Sequence, residues 1–212
     1  MAVTQYRSLS REGISEQTIK KSRFIGYASP IESEEDALAY IAHLHELHPM
    51  ASAIAYGYMA GMQQNVQRFY DSGEPSGTAG MPILDVLKQK DLTNVVCAVV
   101  RYYGGIQLGA GGLTRAFSGT GAQAVQAAGL AVWSLSYKMR VRLDYGVWGS
   151  AENYLNHSRH LRQEVEFGED IELNVLLRAE DEAEFISKMQ NLTNGRAVPE
   201  RTADLYWPWE TA

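Results

Sequence analysis

Two glycine-rich stretches carry most of the side chains in this sequence that are spaced for chemistry. The first, DSGEPSGTAGMP from Asp71 to Pro82, sets the carboxylates of Asp71 and Glu74 into a turn that also holds Gly77 and Thr78. The second, RYYGGIQLGAGGLTR from Arg101 to Arg115, places Gly104, Gly105, Gly109, Gly111 and Gly112 between two guanidinium groups. A residue without a Cβ lets a ligand or another backbone come closer than any other residue allows. Open main-chain N–H groups at a helix amino end, with two arginines beside them, suit a phosphate or a carboxylate. The carboxylates of Asp71 and Glu74 could act as metal ligands or as an acid or base, or, the more common use in a turn, could cap N–H groups or hold an arginine. Two readings of these residues stand side by side: an anion cradle, or packing glycines with Arg101 and Arg115 paired to Asp71, Glu74 or Asp85. The second stretch matches neither the P-loop nor the dinucleotide fingerprint. No activated Ser, Cys or His triad is legible, and neither a metal nor a cofactor is expected.

The elements around these turns follow from the apolar pattern. Val95 to Val100 is an unbroken run rich in β-branched residues, which predicts a strand buried on both faces. After the second turn, Leu113, Ala116, Phe117, Thr120, Ala124, Ala127 and Ala128 recur at helical spacing, and Gly129 is placed to end that helix. Starting the helix near Gly112 puts Arg115 in its first turn, where a cation is unfavourable unless an anion joins it. Pro82 fits the first turn of a second helix reaching about Lys90. Upstream, residues 1–13 read as a polar lead-in, Ser22 to Ser29 as a strand, and Ser33 as the cap of a helix ending before Pro49. Ala51 to Met59 alternates small and large residues, and its small face is expected to receive the alanine-rich helix. His43, His45 and His48 cannot converge on one metal from a single helix and are expected to face solvent. Lone Cys97 reads as a small core residue.

From Ala131 the pattern changes to strand, helix, strand, strand, helix, strand, the ferredoxin-like arrangement. The fold class is therefore α+β, with a boundary expected between a domain at 1–134 and a second at 135–212. The aromatic tail Tyr206, Trp207, Pro208 and Trp209 reads as packing back on its own domain or as an anchor for a partner.

Composition narrows the function. Of the 212 residues 45% are hydrophobic and 21% charged, as in an ordinary globular chain, and the net charge is −6. Residues 1–134 hold 10 basic against 11 acidic side chains, a balance of −1, whereas 135–212 hold 9 against 14, a balance of −5. The second part is excluded as a general polyanion binder, and nucleic-acid contact is confined to a local patch drawing on Lys20, Lys21, Arg23, Arg68, Arg101 and Arg115. The start of the chain lacks the apolar core of a signal peptide and no run is long enough to span a bilayer, so a cytoplasmic protein without a membrane partner is expected. The residues do not set an oligomeric state.

The blocks DSGEPSGTAGMPIL and VVRYYGGIQLGAGGLTRAF, with SRFIGYASPI before them, resemble the signature blocks of the IMPACT family in its YigZ/YvyE-like bacterial branch. In the strand reading ASAIAYGY, Ala53 and Ala55 stand where that family usually has His and Cys. The resemblance implies a ribosomal-protein second-domain-like βαβ sandwich, followed by a ferredoxin-like domain resembling domain V of elongation factor G. Eukaryotic relatives regulate translation under starvation with an additional amino-terminal domain, so what carries over is a general link to translation. The leading expectation is thus a translation or stress-response protein that binds RNA, the ribosome or a protein of the translation machinery through an anion site. The alternative is an enzyme acting on a phosphorylated or carboxylated small molecule in the same cleft.

Overall fold

In the computed structural model, which describes residues 4–209, β6 (Val95–Tyr102) is the strand on which the larger unit is assembled. Val95 to Arg101 are all buried, because β6 is central in a sheet of order β2-β3-β6-β4-β5 and both its faces are covered. The other strands are β2 (Gly13–Ile19), β3 (Ser22–Pro30), β4 (Ala53–Ala60) and β5 (Val66–Tyr70), and each neighbouring pair is antiparallel. Side chains alternate across the strand. Ala98 and Val100 pack with Leu44 of α1 (Glu34–Leu47), whereas Val95, Cys97 and Val99 join the cluster formed by α2 (Gly80–Gln89) and α3 (Ala110–Ala128). Ser33 caps α1 with a reciprocal bond to Asp36. Burial pushes the Cys97 thiol up to about 12, so it stays protonated and inert.

Three expectations are corrected here. The segment read as a polar lead-in holds β1 (Gln5–Leu9) and the start of β2. Its inward positions give no apolar signal because they are polar: Ser15 donates to Thr120 O at 2.9 Å, and Gln17 Nε2 donates to Thr120 Oγ1. The alanine-rich helix does not sit on the small face of β4. A Cβ at Gly57 would lie 2.9 Å from Leu84 N of α2, whereas one at Gly13 would lie 2.2 Å from Ala128 N and one at Gly26 2.7 Å from Thr120 O of α3. Each helix therefore docks where glycine clears its path: α2 on β4, and α3 on β2 and β3. His43 and His45 are exposed, but His48 bridges the hydroxyls of Tyr27 at 2.7 Å and Tyr102 at 2.8 Å, and partial burial lowers its pKa.

The described residues divide into two compact units: Tyr6–Val132 forms one, and Trp133–Trp209 with Thr4 and Gln5 forms the other. The smaller unit runs β7 (Leu130–Leu143), α4 (Tyr145–His157), β8 (Leu161–Phe167), β9 (Ile171–Arg178), α5 (Glu182–Leu192) and β10 (Glu200–Trp209). Strand β9 lies between β7 and β8 in antiparallel register, and both β1 and β10 pair with β7. Inward Met139, Val141, Leu173 and Val175 pack against Leu155, Phe185 and Met189 of the two helices. The aromatic tail belongs to β10: Trp209 is buried, its Nε1 donates to Ser136 Oγ at 2.9 Å, and Arg178 lies over its ring. The two-domain α+β architecture thus stands. No helix among the described residues is long and apolar enough to cross a membrane.

Candidate functional site

Asp71 closes the first glycine-rich turn from within. It follows β5 directly, and its Oδ2 accepts from Gly77 N at 2.9 Å while Oδ1 accepts from Ala79 N at 3.1 Å and Gly80 N at 2.8 Å. The last two are the amides at the amino end of α2, so the partial positive charge of that helix already has its anion. Buried Thr78 donates its hydroxyl to Pro75 O at 2.6 Å. Gly77 and Thr78 therefore spend their polar groups on the turn itself.

Arg101 ends the buried run of β6, in phase with Cys97 and Val99 and cross-strand from Phe24 and Ala53. It is 6% exposed, and its Nη1 donates to Glu74 Oε1 at 2.5 Å, so the first turn reaches the second through this one buried pair. The guanidinium lies over the Phe24 ring at 5.5 Å and the Tyr103 ring at 5.1 Å, which fixes its plane. Its Nε is buried and has no hydrogen-bond partner among the described residues. A buried charged donor without an acceptor costs free energy on the order of 1–3 kcal/mol or more, and it marks a position where a further acceptor would be favourable.

The amino end of α3 differs from that of α2. Its N-cap is Gly109 at φ 73° and ψ 163°, a conformation essentially restricted to glycine, and among the described residues no side chain caps the helix. The first helical amides are thus left for something else. Beside them lies a cavity of about 430 Å³ lined by Glu74, Pro75, Arg101, Tyr103, Gln107, Leu108, Gly109, Ala110 and Leu113. The glycines of this loop do different work. A Cβ at Gly104 would lie 2.0 Å from Lys21 O, so Gly104 packs the loop onto the turn between β2 and β3, whereas a Cβ at Gly105 or Gly109 would meet nothing within 4 Å. Gly111 and Gly112 fall inside the first turn of α3.

Arg115 does not join this cavity. The helix begins at Ala110, ahead of the apolar pattern, so Arg115 lies beyond the first turn and the argument from the helix dipole does not apply to it. Its side chain is exposed, with Nη1 near Gly111, and it forms no ion pair among the described residues. Exposed Lys20 and Lys21, on the turn that packs against Gly104, likewise have no carboxylate partner among the described residues, whereas Arg23 is held by Glu16. Ala53 and Ala55 face the same side of the sheet as Arg101 and Val99 and are buried. Tyr103, Gln107 and Leu113 also line the cavity, a placement that the sequence pattern does not mark. The two-residue alternation of β6 was the available signal that Arg101 points inward.

In the smaller unit, Arg140, Arg142 and Arg196 line a cavity of about 280 Å³, but each has a carboxylate, from Glu172, Glu200 or Asp144. Among the described residues no group of His, Cys, Asp and Glu is placed to hold a metal ion.

Residues 20–125 match the family described as the Impact N-terminal domain, and residues 141–196 match a domain of unknown function, DUF1949. The chain is 35% identical to IMPACT family member YvyE of Bacillus subtilis over 192 residues, 91% of this chain and 88% of the relative. It is 40% identical to an IMPACT family member of Thermus thermophilus over 69% of this chain and 78% of the relative. Over about half of each chain, 52% here and 55% there, it is 40% identical to IMPACT family member YigZ of Escherichia coli. A solved structure titled as that of a hypothetical protein superposes with a TM-score of 0.63 at 27% identity, covering 95% of this chain and 99% of the other.

Proposed function

The chain belongs to the IMPACT family, and from that premise we propose that it is a translation-associated cytoplasmic protein that binds RNA, free or within the ribosome, through an anion site at the amino end of α3. The observation that carries this reading is the uncapped amino end of α3 beside Arg101, whose Nε lacks an acceptor. Helix amides and a rigidly stacked guanidinium are the donors that phosphate oxygens take. Lys20, Lys21 and Arg115 add positive charge on the exposed surface of this unit, which makes RNA contact compatible with a net charge of −6. Asp71 and Glu74 are engaged by amides and by Arg101 respectively, so neither stands ready as a general base. Binding is therefore favoured over catalysis.

The test is the affinity for single-stranded RNA between 50 and 200 mM salt, for the native chain and for a Lys20→Ala, Lys21→Ala, Arg115→Ala variant. Three released counterions give a log–log slope of about −2 for single strands, and the triple variant should flatten it. Absence of RNA binding, or binding indifferent to salt, refutes the reading.

A further inference from the structure

We infer that the cavity at the amino end of α3 receives the phosphorylated terminal nucleotide of a single-stranded RNA, its phosphate on the α3 amides and Arg101 and its base on Tyr103. This rests on the anion site proposed above and specifies what fills it. About 430 Å³ suits one unit of drug-like size and excludes a duplex. Pro75, Leu108 and Leu113 wall the cavity with apolar groups, which favours a chain end over a phosphodiester backbone that would have to run through. A terminal phosphomonoester also carries more charge than an internal diester, about −1.5 to −2 near neutral pH.

Each part of such a nucleotide meets a group that the fold leaves open. Its oxygens meet the amide of Ala110, reached over Gly109, where no Cβ intrudes, and the guanidinium of Arg101, which lines the cavity. The Tyr103 ring is 50% exposed and carries the Arg101 guanidinium over it, a platform on which any base can stack. The second carboxylate oxygen of Glu74 accepts no hydrogen bond from the described residues and can take one from a ribose hydroxyl, while Arg101 already balances its charge.

The experiment measures fluorescence anisotropy of RNA octamers bearing a 5′-phosphate, a 3′-phosphate or no terminal phosphate, with adenosine monophosphate, inorganic phosphate and a free amino acid as competitors. One phosphorylated end should bind about tenfold or more tightly than the unphosphorylated octamer. Adenosine monophosphate should compete for that gain better than inorganic phosphate or the amino acid does. Tyr103→Leu should lose about tenfold on the phosphorylated octamer, and Tyr103→Phe should retain it. Equal affinity for all three octamers overturns the inference but leaves the RNA reading standing on its salt dependence. Equal competition by inorganic phosphate, or preferential competition by the amino acid, overturns the nucleotide assignment, as does tight adenosine monophosphate binding without preference for a phosphorylated end. Failure of every RNA to bind overturns both proposals.

Discussion

Both turns are rich in glycine and each leads into a helix, yet their helix ends are in opposite states. At Gly80 the helix-end amides are closed by the carboxylate of Asp71, with hydrogen bonds of 3.1 Å from Ala79 N and 2.8 Å from Gly80 N and a third, 2.9 Å, from Gly77 N in the turn. At Ala110 the amides are preceded by Gly109, which has no side chain to offer. The difference is one well-placed carboxylate. An internal anion turns a helix amino end into a fixed joint, and omitting it leaves a position that an external anion can occupy. Glu74 shows a third use of the same group: it leaves the amides alone and holds Arg101 rigid beside the open end.

The largest effect that tests this contrast is the loss of Arg101. Its pair with Glu74 is 8% and 10% exposed on the two side chains, so Arg101→Ala strands a buried carboxylate and should cost about 3–5 kcal/mol in a denaturant titration. Glu74→Gln retains a hydrogen-bond acceptor and should cost less. Next in size, Asp71→Ala exposes the difference directly: three amides lose their acceptor, and stability should fall by about 2–3 kcal/mol while anion binding at α3 persists. Gly109→Ala follows. The space above it is open, so the cost is backbone strain of about 1–2 kcal/mol, with weakened anion binding as the helix end shifts.

The smallest effect sharpens what an unpartnered buried atom means. His160 Nδ1 is the counterpart of Arg101 Nε in the smaller unit, buried without a hydrogen-bond partner while Nε2 meets Tyr154 Oη at 2.9 Å. Unlike Arg101, His160 can shed its charge, and burial lowers its pKa in spite of the attraction of Asp181. The folded state therefore prefers neutral His160. Its stabilisation is present above the unfolded value near 6.5 and is lost as pH falls below it, by at most about 1.4 kcal/mol per pH unit. Stability measured from pH 7.5 to 5 should show this decline, and His160→Gln should reduce it to the part that His48, whose pKa burial also lowers, contributes.

Much of the frame was legible because its signals were apolar and local. The run Val95–Val100, the Ser33 cap and the strand-to-helix order after Ala131 each appear in their elements. Where inward residues are polar or absent the pattern failed, as at Gly13, Ser15 and Gln17, whose role is to let α3 approach and to bond its Thr120. The two turns could be located from glycine and proline, but not the assignment of Asp71 to amides and Glu74 to Arg101, which depends on distances set by the fold. The start of α3 was misplaced for a related reason: Ala110 to Gly112 have no apolar side chain to mark the face, so Arg115 was drawn into a turn it does not occupy.

The most direct measurement converts the open helix end into a copy of the closed one. Ala110 is exposed at the first position of α3, so Ala110→Asp places a carboxylate where an anion would sit and also complements the helix dipole. Titrating a terminally phosphorylated RNA octamer into this variant and into Ala110→Asn should show at least about tenfold weaker binding for the aspartate alone, with its melting temperature unchanged or raised. Equal affinity in the two variants would contradict an anion site at the amino end of α3.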